Sequence, residues 1–130
     1  MKSIVSLLVF LGLPNVAATA LAVLLTASEP LTLTELSNRT GYAKSHLSTH
    51  LRYLARSGLV EYVRRHGKAF YKARKDALLD LIHKHLKDLK HHLDYINHEI
   101  RDAELNSPIN SLLNELSRII RDFEKHVPRR

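Results

Sequence analysis

The chain contains no cysteine in its 130 residues. This excludes disulfides and thiolate metal sites and fits an intracellular, cytoplasmic protein. Glycine is also scarce. Of the four glycines only Gly58 and Gly67 lie near the basic part of the chain, which leaves little room for a loop that cradles a nucleotide phosphate. Neither a metalloprotease pair nor a nucleophile with a fixed base can be assembled from the spacing, so no catalytic residues and no enzyme are expected.

Acidic residues are almost missing from one segment. Arg39 to Lys75 holds ten Lys or Arg against the single acid Glu61, a net +9. Residues 1–38 carry one base and two acids, and residues 76–130 carry nine bases and ten acids, so the formal +7 of the whole chain comes from this segment. Such focusing is the electrostatic footprint of a phosphate-contacting surface, whereas solubility alone does not require one-sided placement. With 45% hydrophobic residues the chain is one domain's worth of sequence with a real core.

Charge is absent altogether from Ile4 to Ala27. That run is long enough to span a bilayer, and a membrane-tethered sensor is one reading of it. Gly12, Pro14 and Asn15 split the run, however, into pieces too short to cross alone. In the second piece Pro14 reads as a helix opener, and Val16, Ala17, Ala20, Leu21, Leu24 and Leu25 follow helical spacing, as a first core helix should. The first piece, Ser3 to Leu11, is expected to bury itself against another subunit or under the C-terminal helices. No membrane partner is expected.

The segment from Lys44 to Ser57 repeats Leu47, Leu51 and Leu54 at i, i+4 and i+7, one buried helical stripe. The opposite face is then Lys44, Ser45, Ser48, Thr49, Arg52 and Arg56, short hydroxyls and cations that donate to phosphate oxygens and base edges. His46 is expected to reach the DNA backbone and His50 to sit at the edge of the core. Upstream, Thr32 with Glu35 is a capping-box signature for a short helix with Leu33 and Leu36 inward, and Gly41 suits the corner before the next helix. Downstream, Gly58 stops the long helix, and Leu59–Arg64 and Ala69–Arg74 read as strands around the basic turn Arg65-His66-Gly67-Lys68. Helix, turn, helix and basic hairpin form a winged helix-turn-helix, with Arg64, Arg65, His66 and Lys68 at the wing.

The run Ser45, Ser48, His50, Leu51, Leu54, Gly58, Leu59, Val60, followed by Arg64-Arg65, Gly67 and Phe70-Tyr71, resembles the ArsR and MarR group of winged-helix transcriptional regulators. The resemblance is close over the winged segment and follows element order over most of the chain. It implies a homodimer, archaeal or bacterial, whose recognition helices enter successive major grooves while the wings touch backbone or minor groove. By position it implies that Lys44, Ser45, Ser48, Thr49 and Arg52 face the major groove. The cysteines of ArsR-type metal sensors are absent, and no metal or cofactor is expected.

After Arg74 the pattern changes. Asp76 is a candidate N-cap for a long helix over 76–105, in which Leu79, Leu86, Leu93 and Ile100 take heptad position a, and Ile82, Leu89, Ile96 and Ala103 take position d. Leu79 to Ala103 would span roughly 36 Å, close to one turn of B-DNA. Asn106-Ser107-Pro108 breaks the helix, and Ile109, Leu112, Leu113, Leu116, Ile119, Ile120 and Phe123 mark a final helix over 109–126. Two such stripes cannot both stay wet; one packs inside the subunit and the other against a partner chain, the alternative being an intramolecular hairpin in a monomer. Dimerisation is assigned to Leu79, Ile82, Leu86, Leu89, Leu93, Ile96 and Ile100. Of nine histidines, His83, His85, His91, His92 and His98 lie on the long helix with no two four apart, so they read as solvated neighbours of the seam.

The fold expected is therefore mainly α with a small β-hairpin wing, a DNA-binding domain over 1–75 and a helical dimerisation region over 76–130. The function expected is sequence-specific binding of double-stranded DNA by a transcriptional regulator. The alternative is an architectural, chromatin-like protein of low sequence preference, and salt-dependent binding to specific and random duplexes separates the two.

Overall fold

In the computed structural model, which describes residues 1–99 and 108–126, the charge-free start of the chain folds into two helices, α1 (Lys2–Phe10) and α2 (Asn15–Thr26). Gly12, at φ +106°, turns the chain between them, and Pro14 stands just ahead of α2 as its N-cap. Helix α2 is apolar nearly all round, with Val16, Ala17, Ala18 and the whole run Ala20–Leu24 buried. Such a helix belongs in the middle of a domain, and it packs against α1, α3 (Leu33–Thr40), α4 (Lys44–Arg56) and a strand of the sheet. Helix α1 lies on α2, with Leu8 fully buried while Leu7, Val9 and Phe10 stay exposed. Within its own unit its contact is with α2. Among the described residues no helix is long and apolar enough to cross a membrane.

The short helix α3 begins with a complete capping box. The Glu35 N–H donates to Thr32 Oγ1 (3.1 Å), and the Thr32 N–H and hydroxyl both donate to Glu35 Oε1 (3.0 Å each). Gly41, left-handed at φ +80°, ends the helix. Ser37 Oγ donates to the Tyr42 carbonyl (2.7 Å) and holds the turn that leads into α4. At the far end of α4, Gly58 takes φ +75°, its N–H donating to the Ala55 carbonyl (3.1 Å), and the Leu59 N–H donates to the Leu54 carbonyl (2.9 Å). This is a Schellman stop, with Leu59 buried behind it.

The sheet has three antiparallel strands in the order β1-β3-β2, with β1 Leu31–Thr32, β2 Val60–Arg65 and β3 Lys68–Ala73. Arg65 pairs with Lys68, so only His66 and Gly67 form the turn, both at positive φ (52° and 75°). That is a type I′ geometry, whose twist matches the flanking strands. The expected four-residue turn is therefore two residues long, and each strand runs one residue further toward the tip. Strand β1, with Leu31 opposite Tyr71 and Thr32 opposite Phe70, is an addition to the expected hairpin. Two residues are too few to show a period of two.

The chain forms two compact units, Met1–Ala77 and Leu78–Arg130. Asp76, just ahead of the first residue of α5 (Ala77–Glu99), is buried and accepts from Arg74 Nε at 3.4 Å. In the second unit, the His83 ring of α5 stacks on Phe123 of α6 (Pro108–Glu124), with centroids 5.9 Å apart and planes within 14°. His83 Nε2 also lies 3.2 Å from a Glu124 carboxylate oxygen. A residue early in α5 thus meets the end of α6, and the two helices run antiparallel. Leu113, Leu116 and Ile120 of α6 are buried. The C-terminal part of the expected long helix, including Ile100 and Ala103, and the Asn106-Ser107 break lie outside the described residues; α6 ends at Glu124 rather than 126.

Replacing Thr32 with Ala removes the cap acceptor of α3 and is expected to cost about 1 kcal/mol in urea unfolding. The capping bonds from Thr32 hold the Glu35 carboxyl below its ordinary value of 4.5. A lowered folded value means stabilisation that is complete above the unfolded value and lost as pH falls through the folded one. The urea midpoint of the native protein should therefore fall more steeply on acidification below about pH 4 than that of Glu35→Gln, and identical slopes would refute the linkage.

Candidate nucleic-acid interface

The rotation of α4 decides which side chains face out. With Leu47, Leu51 and Leu54 at 0% exposure, Lys44, Ser45, His46, Thr49, Arg52 and Arg56 stand exposed on the remaining surface. Ser48 is half-buried at the edge of that face rather than at its centre, and His50 is half-buried, as expected. The Thr49 hydroxyl donates to the Ser45 carbonyl (3.3 Å), leaving its oxygen as an acceptor toward solvent.

One flank of α4 is aromatic. Tyr42 and His46 meet edge to face with centroids 6.0 Å apart, and His46 and His50 do the same at 5.2 Å. Tyr53 is 45% exposed, an amphipathic ring beside the cations. Tyr53 is not among the hydroxyls and cations that the sequence pattern places on this face. The i, i+4 spacing of His46 and His50 was equally visible in the sequence but lay off the long helix where histidines were compared. Among the described residues no group of three or more His, Asp or Glu could hold a metal ion.

On the wing, strand register places Tyr62 opposite Tyr71, and their rings meet at 5.6 Å. Arg64 Nε donates to the Tyr62 hydroxyl (3.0 Å) and Nη1 to the Gly67 carbonyl (3.5 Å), so this cation is anchored beside the tip. Arg65, His66 and Lys68 are all exposed at the turn. Burial, followed by the neighbouring Tyr62, raises the Tyr71 hydroxyl above its ordinary 10.0, while Arg52 and Arg64 pull it the other way.

The lone acid of the segment, Glu61, lies 3.4 Å from Lys72 and 3.6 Å from Arg74. It thereby neutralises the base of the wing, away from the tip. Among the described residues, Lys44, Arg52, Arg56, Arg65 and Lys68 carry no ion pair. Between the start of α3 and the wing lies a cleft of about 610 Å³ lined by Thr32–Glu35 and Lys68–Tyr71. Of the residues assigned to dimerisation, Leu79, Leu89 and Ile96 are exposed, Ile82, Leu86 and Leu93 are half-buried, and Ile100 falls outside the described residues.

Residues 15–64 match the IclR helix-turn-helix domain. The match runs from α2 through both helices of the motif to Arg64 in β2, and it supports a DNA-binding role for the chain. The matched domain is of the IclR type, and of the resemblance to ArsR and MarR regulators it supports the winged helix-turn-helix class. A solved structure described as a transcriptional regulator shares the fold at a TM-score of 0.62 and 18% identity, over 98% of this chain and 95% of that one. The transcriptional regulator BldR from Sulfolobus solfataricus is similar at a TM-score of 0.42 and 20% identity, over 80% of this chain and 73% of its own. No curated protein matches the chain.

A Cβ added at Gly67 would meet nothing within 4 Å, yet the residue sits at φ +75°. Gly67→Ala should thus cost only the backbone term, roughly 1 kcal/mol in chemical denaturation, from straining the left-handed turn. A loss above about 3 kcal/mol would mean that the turn carries contacts beyond its own backbone.

Proposed function

We propose that the protein is a sequence-specific transcriptional regulator that binds double-stranded DNA as a homodimer, in the manner of the ArsR and MarR group. Helix α4 enters the major groove and the wing, 64–68, rests on the backbone or minor groove. The observation that carries the reading is the outward face of α4 and the wing tip, where cations without acidic partners share one surface while Glu61 is held at the wing's base by Lys72 and Arg74.

In this reading Lys44, Ser45, His46, Ser48, Thr49, Arg52 and Arg56 meet the DNA from α4, with Arg52 reading base edges and the others mostly positioning on phosphates. Arg64, Arg65, His66 and Lys68 supply the wing contacts. Residues 1–75 bind DNA and 76–130 pair two chains, in the cytoplasm. The antiparallel packing sets Leu89 near the level of Ile119 and Ile96 near that of Leu112, and all four are exposed. Burying each of these side chains against a second copy would contribute about 1.5–3 kcal/mol. The second reading, an architectural binder of low sequence preference, draws on Thr49, whose hydroxyl proton is turned to its own helix.

Binding should weaken steeply with salt, and the affinity for a selected site should exceed that for random duplex by about 10³ or more. A ratio below about ten would favour the architectural reading. Arg52→Ala is expected to relax base preference, costing about 1–3 kcal/mol at the selected site only. Lys68→Gln should weaken all duplexes alike and flatten the logarithmic salt slope by about 0.9. Equal losses on all duplexes from both changes would contradict these roles.

A further inference from the structure

The α5–α6 pair has two dissimilar long sides. Residues two apart on a helix point about 200° from each other, so Lys87 faces away from Leu89 and Arg121 away from Ile119. The apolar side holds the exposed leucines and isoleucines. The other side is a groove of about 330 Å³ over Ile120, lined by Lys87, Lys90, His91, Ser117, Arg121 and Glu124.

The cations of this groove stand out against a general pattern. Elsewhere in the unit Lys84 pairs with Asp88 (3.7 Å), Lys125 pairs with Asp122 (3.6 Å), and Arg118 pairs with Glu115. Lys90, at the groove's edge, pairs with Asp94 (3.8 Å). Among the described residues of the unit, Lys87 and Arg121 are the cations without an ion pair, and both line the same groove. The sequence explains why. At three and four residues on either side, Lys87 has His83, Lys84, Lys90 and His91, with no acid among them. Arg121 has Glu124 at i+3, but His83 Nε2 lies 3.2 Å from that carboxylate. The two unpaired cations, one from each helix, thus outnumber the single carboxylate of the groove, Glu124, so the groove keeps an excess of positive charge.

We propose that this groove binds a small, doubly charged oxyanion, phosphate-like or dicarboxylate, between Lys87 and Arg121. The Arg121 guanidinium offers a planar fork for two oxygens, Lys87 a mobile point charge, and the Ser117 hydroxyl a neutral donor. The volume suits a small-molecule ligand. The site is independent of the DNA-binding reading, since every residue in it lies in the second unit.

The test is calorimetric titration of the full chain with inorganic phosphate, and in a second arm with succinate, at constant ionic strength set by sodium chloride. Saturable binding at one site per chain is expected, weakened about tenfold or more by Lys87→Gln with Arg121→Gln. Arg121→Lys, which keeps the charge and loses the fork, should fall between, and Lys84→Gln, at a cation of the same unit outside the groove, should bind as the native chain does. Tighter binding of phosphate or of succinate identifies the source. Circular dichroism melting of each variant checks that it folds; if the double variant does not, the comparison rests on Arg121→Lys. Binding that does not saturate, or is the same in the folded variants, overturns the proposal. It is also overturned if neither anion binds while the double variant loses affinity for duplex DNA, which would make the groove a nucleic-acid contact.

Discussion

Burial of Leu47, Leu51 and Leu54 fixes the rotational setting of α4, and every functional side chain on that helix inherits its direction from it. Each fully buried leucine contributes about 1.5–3 kcal/mol, whereas an exposed cation contributes about 1 kcal/mol or less to folding. Turning the helix by one residue would wet at least one of the three and bring a polar neighbour into the core. No surface interaction available to Arg52 or Arg56 is large enough to offset that. Helix α4 packs on α2, α3 and β2, and the alanines of α2 allow close approach, so the charge-free start of the chain and the most basic part of it are two halves of one arrangement.

The electrostatics are layered on that packing. One acid would be enough to quench part of the wing, and the position of Glu61 decides which part. Held by Lys72 and Arg74 at the base of the hairpin, it leaves the tip positive, so the charge rises along the strands toward the turn. The second unit follows a different rule, with acids and bases alternating at three- and four-residue spacing and pairing locally along each helix.

Local signals in the sequence carried most of the first unit. The leucine stripe, the Thr32–Glu35 box and the left-handed Gly41, Gly58 and Gly67 each depend on residues within four positions of one another, and each stands where its chemistry requires. What could not be read depends on distant partners. Strand β1 exists because Leu31 and Thr32 meet Tyr71 and Phe70, about forty residues later, and two residues alone carry no pattern. The His83–Phe123 stack that sets α5 against α6 is likewise long-range, and a heptad seam by itself does not say which helix will cover it. The leucines, glycines and wing cations that carry the resemblance to ArsR and MarR regulators serve any winged helix, so they do not tell those types from the IclR domain matched over 15–64. The exposure of Tyr53 beside the cations follows from the rotation of α4 and not from its residue type.

The anchoring of Arg64 has a kinetic meaning. Long cationic side chains on most surfaces sweep through many rotamers, and an arriving polyanion must halt that motion at an entropic cost. Here the Tyr62 hydroxyl and the Gly67 carbonyl have already narrowed the sweep, so part of the ordering is complete before any encounter. On the proposed reading the wing would meet DNA as a preset die rather than a brush, with part of its fit to shape written into the hairpin while the chain is still alone.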